Sequence, residues 1–550
     1  MMRSLFQLIG GLTLIKRAAC FALALMWMTF TPTYSRDTYV RAVAIDAIHY
    51  RINLEIRDST DEIAAETEIL FAFNEDGVKT MGLDLGDLTI DGVTENERAA
   101  RFTHEGARLN IQLQGDYRKS DRCRLSIKYH GKPADGLFIK KNKFGDRSIF
   151  ADNWPNRARH WFPAIDHPYD KATVEFFVTA PDRYDVIANG ALVEATSKQN
   201  GARLTHWSER VPIPTYCMVV GATEFSIINV TASRRATGGT QLFYYLYPKD
   251  RERGLKDFGR ALDMLEFYTS LIGPYPYEKL ALVQSSTRFG GMENSSNIFF
   301  DERAFNGSGR LEGTVAHEIA HQWFGDSVTE ADWHHLWLSE GFATYFGHLF
   351  FERADGRDRF VKLMLQDKEK YLSEYSSDPR PIYDPSITDL FKLLNANNYQ
   401  KAGWVLHMLR RVVGDEKFFA GVRDYYSAHR DRNALTVDLQ RVMEYHAGRS
   451  LDWFFQEWIY GPGYPIYDAS WRWDEGAKQL RLRVAQKQEK QLFRMPLDVE
   501  IEQAGETRRE VVQVDERDHT FTFKLNSKPR SVALDPGEWV LKVLTLAEEK

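Results

Sequence analysis

Residues 317–325 read His-Glu-Ile-Ala-His-Gln-Trp-Phe-Gly, and residues 337–343 read Trp-Leu-Ser-Glu-Gly-Phe-Ala. Both stretches lie in runs with helical periodicity, which predicts two helices. Residues four apart share one face of a helix, so the imidazoles of His317 and His321 can reach one cation. Glu340 adds a carboxylate from the second helix, and catalytic zinc takes three protein ligands and keeps a fourth position for water. The sequence therefore predicts a zinc site formed by His317, His321 and Glu340.

Glu318 lies about 100° around the predicted helix from His317, close enough to reach water on the metal but poorly placed as a ligand. A carboxylate in that position is suited to proton transfer, and we expect Glu318 to be the general base. The five-residue pattern alone would also fit a helix with two histidines of no chemical role. The third ligand, Glu340, argues against that alternative.

The regular spacing of apolar residues divides the chain into three blocks. Residues 40–235 contain alternating segments such as Tyr50–Ile56, which are typical of half-buried strands. Helical spacing begins near residue 250 and continues to about Tyr460, before a boundary rich in glycine and proline at residues 461–465. The helical domain is assigned to residues 236–462. Residues 463–550 again alternate like strands. The predicted order is a β domain, a helical domain and a small β domain.

Composition limits the classes of partner. A chain of 550 residues is expected to form two to four domains. The net charge of −6 and the scattered basic residues argue against a nucleic-acid partner. Cys123 and Cys217 lie in strand-like apolar surroundings, which favours burial as small hydrophobic residues.

Residues 1–35 have the character of a secretory signal peptide. Basic residues flank two apolar runs, Leu5–Ile15 and Ala18–Phe30, before polar sequence begins at Arg36. The second run is shorter than the roughly 20 apolar residues that a membrane-spanning helix needs. We expect export to the periplasm or the medium, with cleavage near Ser35. A retained membrane anchor is the alternative, and only then would the membrane be a partner.

The two opening stretches closely resemble the aminopeptidase N family of zinc metallopeptidases. Residues 290–294, Gly-Gly-Met-Glu-Asn, are similar to the exopeptidase motif of that family. Residues 399–403, Tyr-Gln-Lys-Ala-Gly, resemble the segment that carries its catalytic tyrosine, with Ala402 and Gly403 in swapped order. Further matches cover most of the chain from about residue 45 to 545.

The resemblance implies a multidomain α+β fold. It would combine an N-terminal β saddle domain, a mostly helical thermolysin-like catalytic domain and a small C-terminal β-sandwich. It also implies one zinc ion per chain and hydrolysis of the N-terminal bond of peptides with a free N-terminus, by a zinc-bound water with Glu318 as base. Larger relatives carry a helical fourth domain over the site. Here the residues after Tyr464 are predicted to form strands, which suggests an open cleft that admits longer peptides.

The resemblance also assigns roles around the metal. Tyr399 would stabilise the oxyanion, since a phenol can hold the negative charge that grows on the carbonyl oxygen. Glu293 would anchor the cationic amine of the substrate. Gly290 and Gly291 would let the substrate pair along their segment as an added strand, with Met292 and Asn294 as further substrate-binding residues.

One segment departs from the family pattern. The family has a Gln/Glu-x-Gln/Glu pair shortly before a Phe-Pro segment, whereas this chain has Asp152-Asn153-Trp154. Asp152 would take over amine binding, or Trp154 would reshape the pocket for the first side chain. A turn residue before Trp-Pro is the other interpretation of Asp152. Met292 and Trp154 together indicate an apolar pocket.

Three other functions are compatible with parts of the pattern. A thermolysin-like endopeptidase shares the zinc site but needs no amine anchor. An epoxide hydrolase of the leukotriene-processing type would carry a helical C-terminal domain. A catalytically silent peptide-binding relative would keep the fold and lose the chemistry, against which the set of His317, Glu318, His321, Glu340 and Tyr399 argues.

Overall fold

Alternating burial builds the first half of the chain into strands. The computed structural model describes residues 37–199, 201–232, 239–503 and 505–549. In β1 (Ile45–Glu55) the side chains of Tyr50, Ile52 and Leu54 are buried, and those between them are half-buried. This is the period-2 pattern of a strand with one face in a core.

The N-terminal strands form three sheets among the described residues. An eight-stranded sheet has the order β13-β14-β11-β1-β2-β8-β4-β5, a four-stranded sheet the order β12-β15-β10-β9, and a three-stranded sheet the order β3-β7-β6. The bounds are β1 (Ile45–Glu55), β2 (Ile63–Phe73), β3 (Thr80–Asp84), β4 (Thr89–Glu95), β5 (Arg98–Ala99), β6 (Arg101–Glu105), β7 (Arg108–Gln112), β8 (Arg122–Gly131), β9 (Leu137–Lys141), β10 (Arg147–Ala151), β11 (Lys171–Pro181), β12 (Asp185–Ala188), β13 (Ala191–Ser197), β14 (Ala202–Pro214) and β15 (Val220–Thr223).

A five-stranded sheet follows and positions one side of the site. Its order is β16-β17-β18-β20-β19, with bounds β16 (Ser226–Asn229), β17 (Gln241–Leu246), β18 (Lys279–Ser285), β19 (Gly291–Met292) and β20 (Asn297–Asp301). The three inner strands are parallel, and β18 is buried along its whole length, as expected for a parallel strand covered on both faces. The short β19 pairs antiparallel with β20 and forms an edge of the sheet.

Helices dominate the chain from residue 251 to residue 460. Their bounds are α1 (Arg251–Asp257), α2 (Ala261–Leu271), α3 (Glu312–His321), α4 (Trp337–Asp355), α5 (Arg357–Tyr375), π1 (Asn397–Lys401), α6 (Ala402–Val413), α7 (Asp415–His429), α8 (Thr436–Ala447), α9 (Asp452–Phe455) and π2 (Gln456–Tyr460). A small parallel pair joins β21 (Val328–Glu330) to β22 (Arg432–Ala434). Short 3-10 helices span Ala158–His160, Thr215–Cys217, Val230–Ala232, Pro248–Asp250, Glu302–Ala304, Trp333–His335 and Leu390–Leu393.

The central helix α4 is buried on nearly all sides, as expected for a helix that is apolar around its circumference. It packs closely on the start of α6, since a Cβ added to Gly341 would lie 2.5 Å from Ala402 Cβ. The absence of a side chain at Gly341 therefore allows the segment that carries Tyr399 to approach Glu340.

The C-terminal strands form two sheets, with orders β27-β24-β23-β29 and β26-β25-β28. Their bounds are β23 (Ile466–Asp474), β24 (Gln479–Gln486), β25 (Met495–Gln503), β26 (Glu506–Val514), β27 (Asp518–Lys524), β28 (Ser531–Leu534) and β29 (Val543–Glu548). The α+β class and the predicted order of β, helical and β regions are confirmed. The exact domain boundaries at residues 235 and 462 stay predictions.

The predicted signal segment, residues 1–35, lies outside the described residues. Cys123 and Cys217 are buried free thiols, as the sequence predicts. No helix within the described ranges combines the length and apolar character that crossing a bilayer requires.

Candidate active site

Three side chains from α3 and α4 converge on one point. His317 Nε2 and His321 Nε2 lie 3.0 Å apart, and each lies 3.2 Å from Glu340 Oε2. Tetrahedral ligand atoms at about 2.1 Å from zinc are separated by about 3.4 Å, so this triangle fits one such ion. Two imidazoles and one carboxylate are also a donor set that zinc takes in catalytic sites. The structure thus brings together the three predicted ligands.

The surroundings of these ligands favour a cation. Burial alone would raise the pKa of Glu340, but His321 and His317 outweigh it and hold that pKa well below its usual range. Burial alone would lower the pKa of His321, but Glu340 and Glu293 outweigh it and raise that pKa. The Nδ1 atom of His321 lies 3.1 Å from Phe324 O and 3.0 Å from Ser339 Oγ. These contacts hold the ring so that Nε2 faces the ligand triangle.

Glu318 lies beside the triangle and against the backbone of β19. A Cβ added to Gly291 would be 2.3 Å from Glu318 Oε1, so a larger residue there would require this carboxylate to move. Burial raises the pKa of Glu318, and the charges of Glu293 and Glu340 add to this effect. A buried carboxyl that lines the same cavity as the predicted metal ligands can accept and return a proton.

Tyr399 lies in the single turn π1 and contacts both Glu340 and His317. Its hydroxyl donates to Glu340 Oε1 at 2.7 Å, and its ring stacks on His317 with a centroid separation of 5.9 Å. Burial raises the pKa of Tyr399 well above its ordinary value, and Glu340 adds to the effect. The phenol therefore keeps its proton and remains a hydrogen-bond donor at the site.

Glu293 is the residue directly after β19, and its side chain lines the same cavity. Burial raises the pKa of its carboxyl to about 7. Its backbone is held by Gln322, whose Nε2 donates to Glu293 O at 2.6 Å and to Asp326 Oδ2 at 2.8 Å. The Oε1 atom of Gln322 accepts from Ser296 N at 2.8 Å. Gln322 therefore ties the segment after β19 to the helix that carries the histidines.

A cavity of about 220 Å³ is shared by the three predicted ligands, Glu318, Tyr399 and Glu293. It is lined by Trp154, Phe289, Gly290, Gly291, Met292, Glu293, His317, Glu318, His321, Glu340, Leu394 and Tyr399. Six of the lining residues carry carboxylates, imidazoles or a phenol, and four carry large apolar side chains. The volume is smaller than the roughly 300 Å³ at which pockets for drug-sized ligands begin, so it suits a single residue of a peptide.

Two predicted substrate-binding residues lie outside the cavity lining. Asp152 is fully buried and forms an ion pair with Arg157, and it also accepts from the backbone N of Arg288 at 3.4 Å. Asn294 is fully buried next to Glu293 without lining the cavity. Trp154, the other candidate in the departing segment, does line the cavity. Asp152 thus lies outside the cavity lining and Trp154 within it, and the roles of both in substrate binding stay predictions.

Sequence reasoning missed several residues of the site. Phe289 directly precedes the glycine pair, and Leu394 precedes the tyrosine segment, but neither carries a chemical group that marks it. Ser339 and Gln322 stand inside the quoted motifs, next to a ligand in each case. Their polar side chains beside ligand positions were the available signal.

Two parts of the chain match known protein families. Residues 46–217 match the peptidase M1 N-terminal domain, and residues 257–458 match the peptidase family M1 domain. The tricorn protease-interacting factor F2 of Thermoplasma acidophilum is 28% identical over 419 residues, 70% of this chain and 50% of that protein. The probable aminopeptidase 1 of Saccharolobus solfataricus is 27% identical over 495 residues, 84% of this chain and 58% of that protein.

The glutamyl aminopeptidase of Sus scrofa is 27% identical over 347 residues, which cover 60% of this chain and 36% of that protein. The chain spans about half the length of the curated relatives it matches.

Proposed function

Because the chain belongs to peptidase family M1, as the resemblance predicted, we propose that it is a zinc-dependent aminopeptidase. It would hydrolyse the first peptide bond of peptides with a free amino terminus. The observation that carries this proposal is the position of Glu293, whose buried carboxyl shares one small cavity with the three ligand side chains and Glu318.

Each polar residue of the cavity has a separate role in the proposed reaction. His317, His321 and Glu340 would hold the zinc ion, which when bound polarises the scissile carbonyl and makes water nucleophilic near neutral pH. Glu318 takes a proton from the attacking water and delivers it to the leaving amine. Tyr399 donates its phenol hydrogen bond to the developing oxyanion. Glu293 pairs with the substrate ammonium, and the exposed edge of β19 pairs with the substrate backbone.

Amine recognition by Glu293 predicts a strict requirement for a free amino terminus. Leucyl-alanyl-alanine should be cleaved and its N-acetyl derivative should not, whereas a thermolysin-like endopeptidase would cleave both. Glu293→Gln should lower kcat/KM for the free peptide by about 10- to 100-fold, because a charge-assisted hydrogen bond is worth roughly 1.5–3 kcal/mol. Chromatography of the released products measures the effect of acetylation and the effect of Glu293→Gln. Equal rates on the free and acetylated peptides would exclude the assignment.

We also propose that the first side chain of the substrate is apolar. Trp154, Phe289, Met292 and Leu394 are the large apolar side chains that line the cavity. Among the described residues that line this cavity there is no lysine or arginine. The guanidinium of Arg157 lies 6.0 Å from the centroid of the Phe289 ring and is already paired with Asp135 and Asp152. An acidic first residue would therefore meet carboxylates and no free cation.

A panel of aminoacyl-coumarin substrates tests the apolar pocket. Phenylalanyl and leucyl substrates should exceed the alanyl substrate by about 10- to 100-fold in kcat/KM, and the glutamyl substrate should be poorest. Leu394→Phe narrows the pocket and should reduce the phenylalanyl rate by about 10-fold while the alanyl rate is kept. A glutamyl preference would contradict this part of the proposal and leave the peptidase assignment intact.

A further inference from the structure

Lys401 is a fully buried lysine that the chemistry described above does not use. It is the last residue of π1, two positions after Tyr399, and its side chain is 0% exposed. Its Nζ atom donates to the backbone carbonyl of Gly461 at 3.1 Å. No carboxylate pairs with it in the part of the chain that the structure describes, and burial lowers its pKa to about 7. The Nζ atom also lies 5.9 Å from the centroid of the Tyr371 ring. Burying an amine with one hydrogen bond is costly, which indicates that the bond to Gly461 has a specific role.

The turn that Lys401 ends is an unusual one. In π1 the Lys401 amide donates to Ala396 O at 2.9 Å, across five residues, and the Tyr399 amide donates to Asn395 O at 3.3 Å. Single π turns are rare and less well bonded than α-helical turns, so they depend on support from their surroundings. One such support is the bond from Lys401 to Gly461.

Gly461 also contacts the C-terminal β region. It follows π2 directly and precedes β23. A Cβ added to Gly461 would lie 2.3 Å from Gln491 Oε1, so the side chain of Gln491 rests against this backbone. Gln491 belongs to the connection between β24 and β25, and its Nε2 donates to Glu457 O at 2.8 Å. Contacts thus run from Gln491 through Gly461 to Lys401, and the backbone of π1 connects Lys401 to Tyr399 two residues earlier.

We propose that Lys401 is a positioning residue for Tyr399. Its bond to Gly461 holds π1 in place and ties the position of the phenol to the docking of the C-terminal strands. This inference rests on the function proposed above, because it concerns how the oxyanion donor of that reaction is held. A displacement of about 1 Å at a catalytic group can cost about 100-fold in rate.

The test compares kcat, KM and zinc content of the full chain on leucyl-coumarin. Lys401→Met should lower kcat by about 10- to 100-fold, with KM within about two-fold and zinc content unchanged. The Lys401→Met/Tyr399→Phe double variant should be no slower than Tyr399→Phe alone, since both changes remove the same interaction. Lys368→Met is the matched control, because this half-buried lysine lies 4.0 Å from Glu538 in the C-terminal region and should leave kcat unchanged.

A second variant covers the case in which Lys401→Met does not fold. Gln491→Ala removes the half-buried side chain that rests against Gly461. It should lower kcat by about two- to five-fold, again without effect in the Tyr399→Phe background. Losses that multiply with the Tyr399→Phe loss, or an unchanged kcat in Lys401→Met, would overturn the inference while the aminopeptidase assignment stands. A wild-type protein that cleaves no free-amine substrate would instead refute the proposed function itself.

Discussion

Replacing Glu318 with glutamine should lower kcat by about 10²- to 10⁴-fold, the range expected for loss of a general acid–base group. Glutamine has nearly the same shape as glutamate and fits the space that Gly291 leaves beside this side chain. It cannot accept a proton from water, and the three zinc ligands are untouched. Zinc content and the thermal unfolding midpoint should therefore stay close to those of the wild type.

The matched control for this variant is Glu312→Gln. Glu312 lies in the first turn of the same helix α3, half-exposed, and its carboxylate is 3.5 Å from Arg260 outside the cavity. Its removal should change kcat by less than about two-fold, since exposed ion pairs contribute little. Turnover of Glu318→Gln near the wild-type level, measured with leucyl-coumarin, would assign the base to another residue.

Removal of the metal should have the largest effect of all. Dialysis against a chelator should bring hydrolysis below detection, and one equivalent of Zn²⁺ per chain should restore it, since His317, His321 and Glu340 form one set of ligands. His321→Ala should abolish both zinc binding and turnover. Elemental analysis together with a rate assay measures these outcomes.

Ser339→Ala provides a graded version of the same experiment. Ser339 Oγ lies 3.0 Å from His321 Nδ1 and helps to orient the ring, so its loss should weaken zinc affinity by about 10- to 100-fold. Activity of that variant should return at high zinc concentration. A protein that is fully active after exhaustive chelation would contradict the zinc assignment.

Local spacing explains why much of the site could be predicted from sequence. His317 and His321 are one helical turn apart, so their shared face follows from helix geometry alone. The three-block order of the fold also followed from the apolar period of each block. Glu340 needed a second helix to lie against the first. Gly341 of α4 is in close contact with Ala402. Such a tertiary contact cannot be predicted from the spacing of residues in the sequence.

Some features of the site could not be predicted from the sequence, because they depend on contacts between distant segments. Asp152 had the right chemistry for an amine site, but Arg157 and the backbone of Arg288 occupy its oxygens. The bond from Lys401 to Gly461 joins residues 60 positions apart. The sequence around Lys401 and Gly461 does not indicate that the lysine is buried. Its burial depends on how α5, π1 and π2 pack together.

The shortness of β19 affects how peptides of several residues are degraded. A strand of two residues at a sheet edge offers backbone pairing to only the first residues of a peptide. The chain beyond them makes little contribution to recognition, so each shortened product is again a substrate. Such a molecule would shorten diverse peptides stepwise, and the digestion ladder would stall wherever a poorly accepted side chain becomes the new terminus.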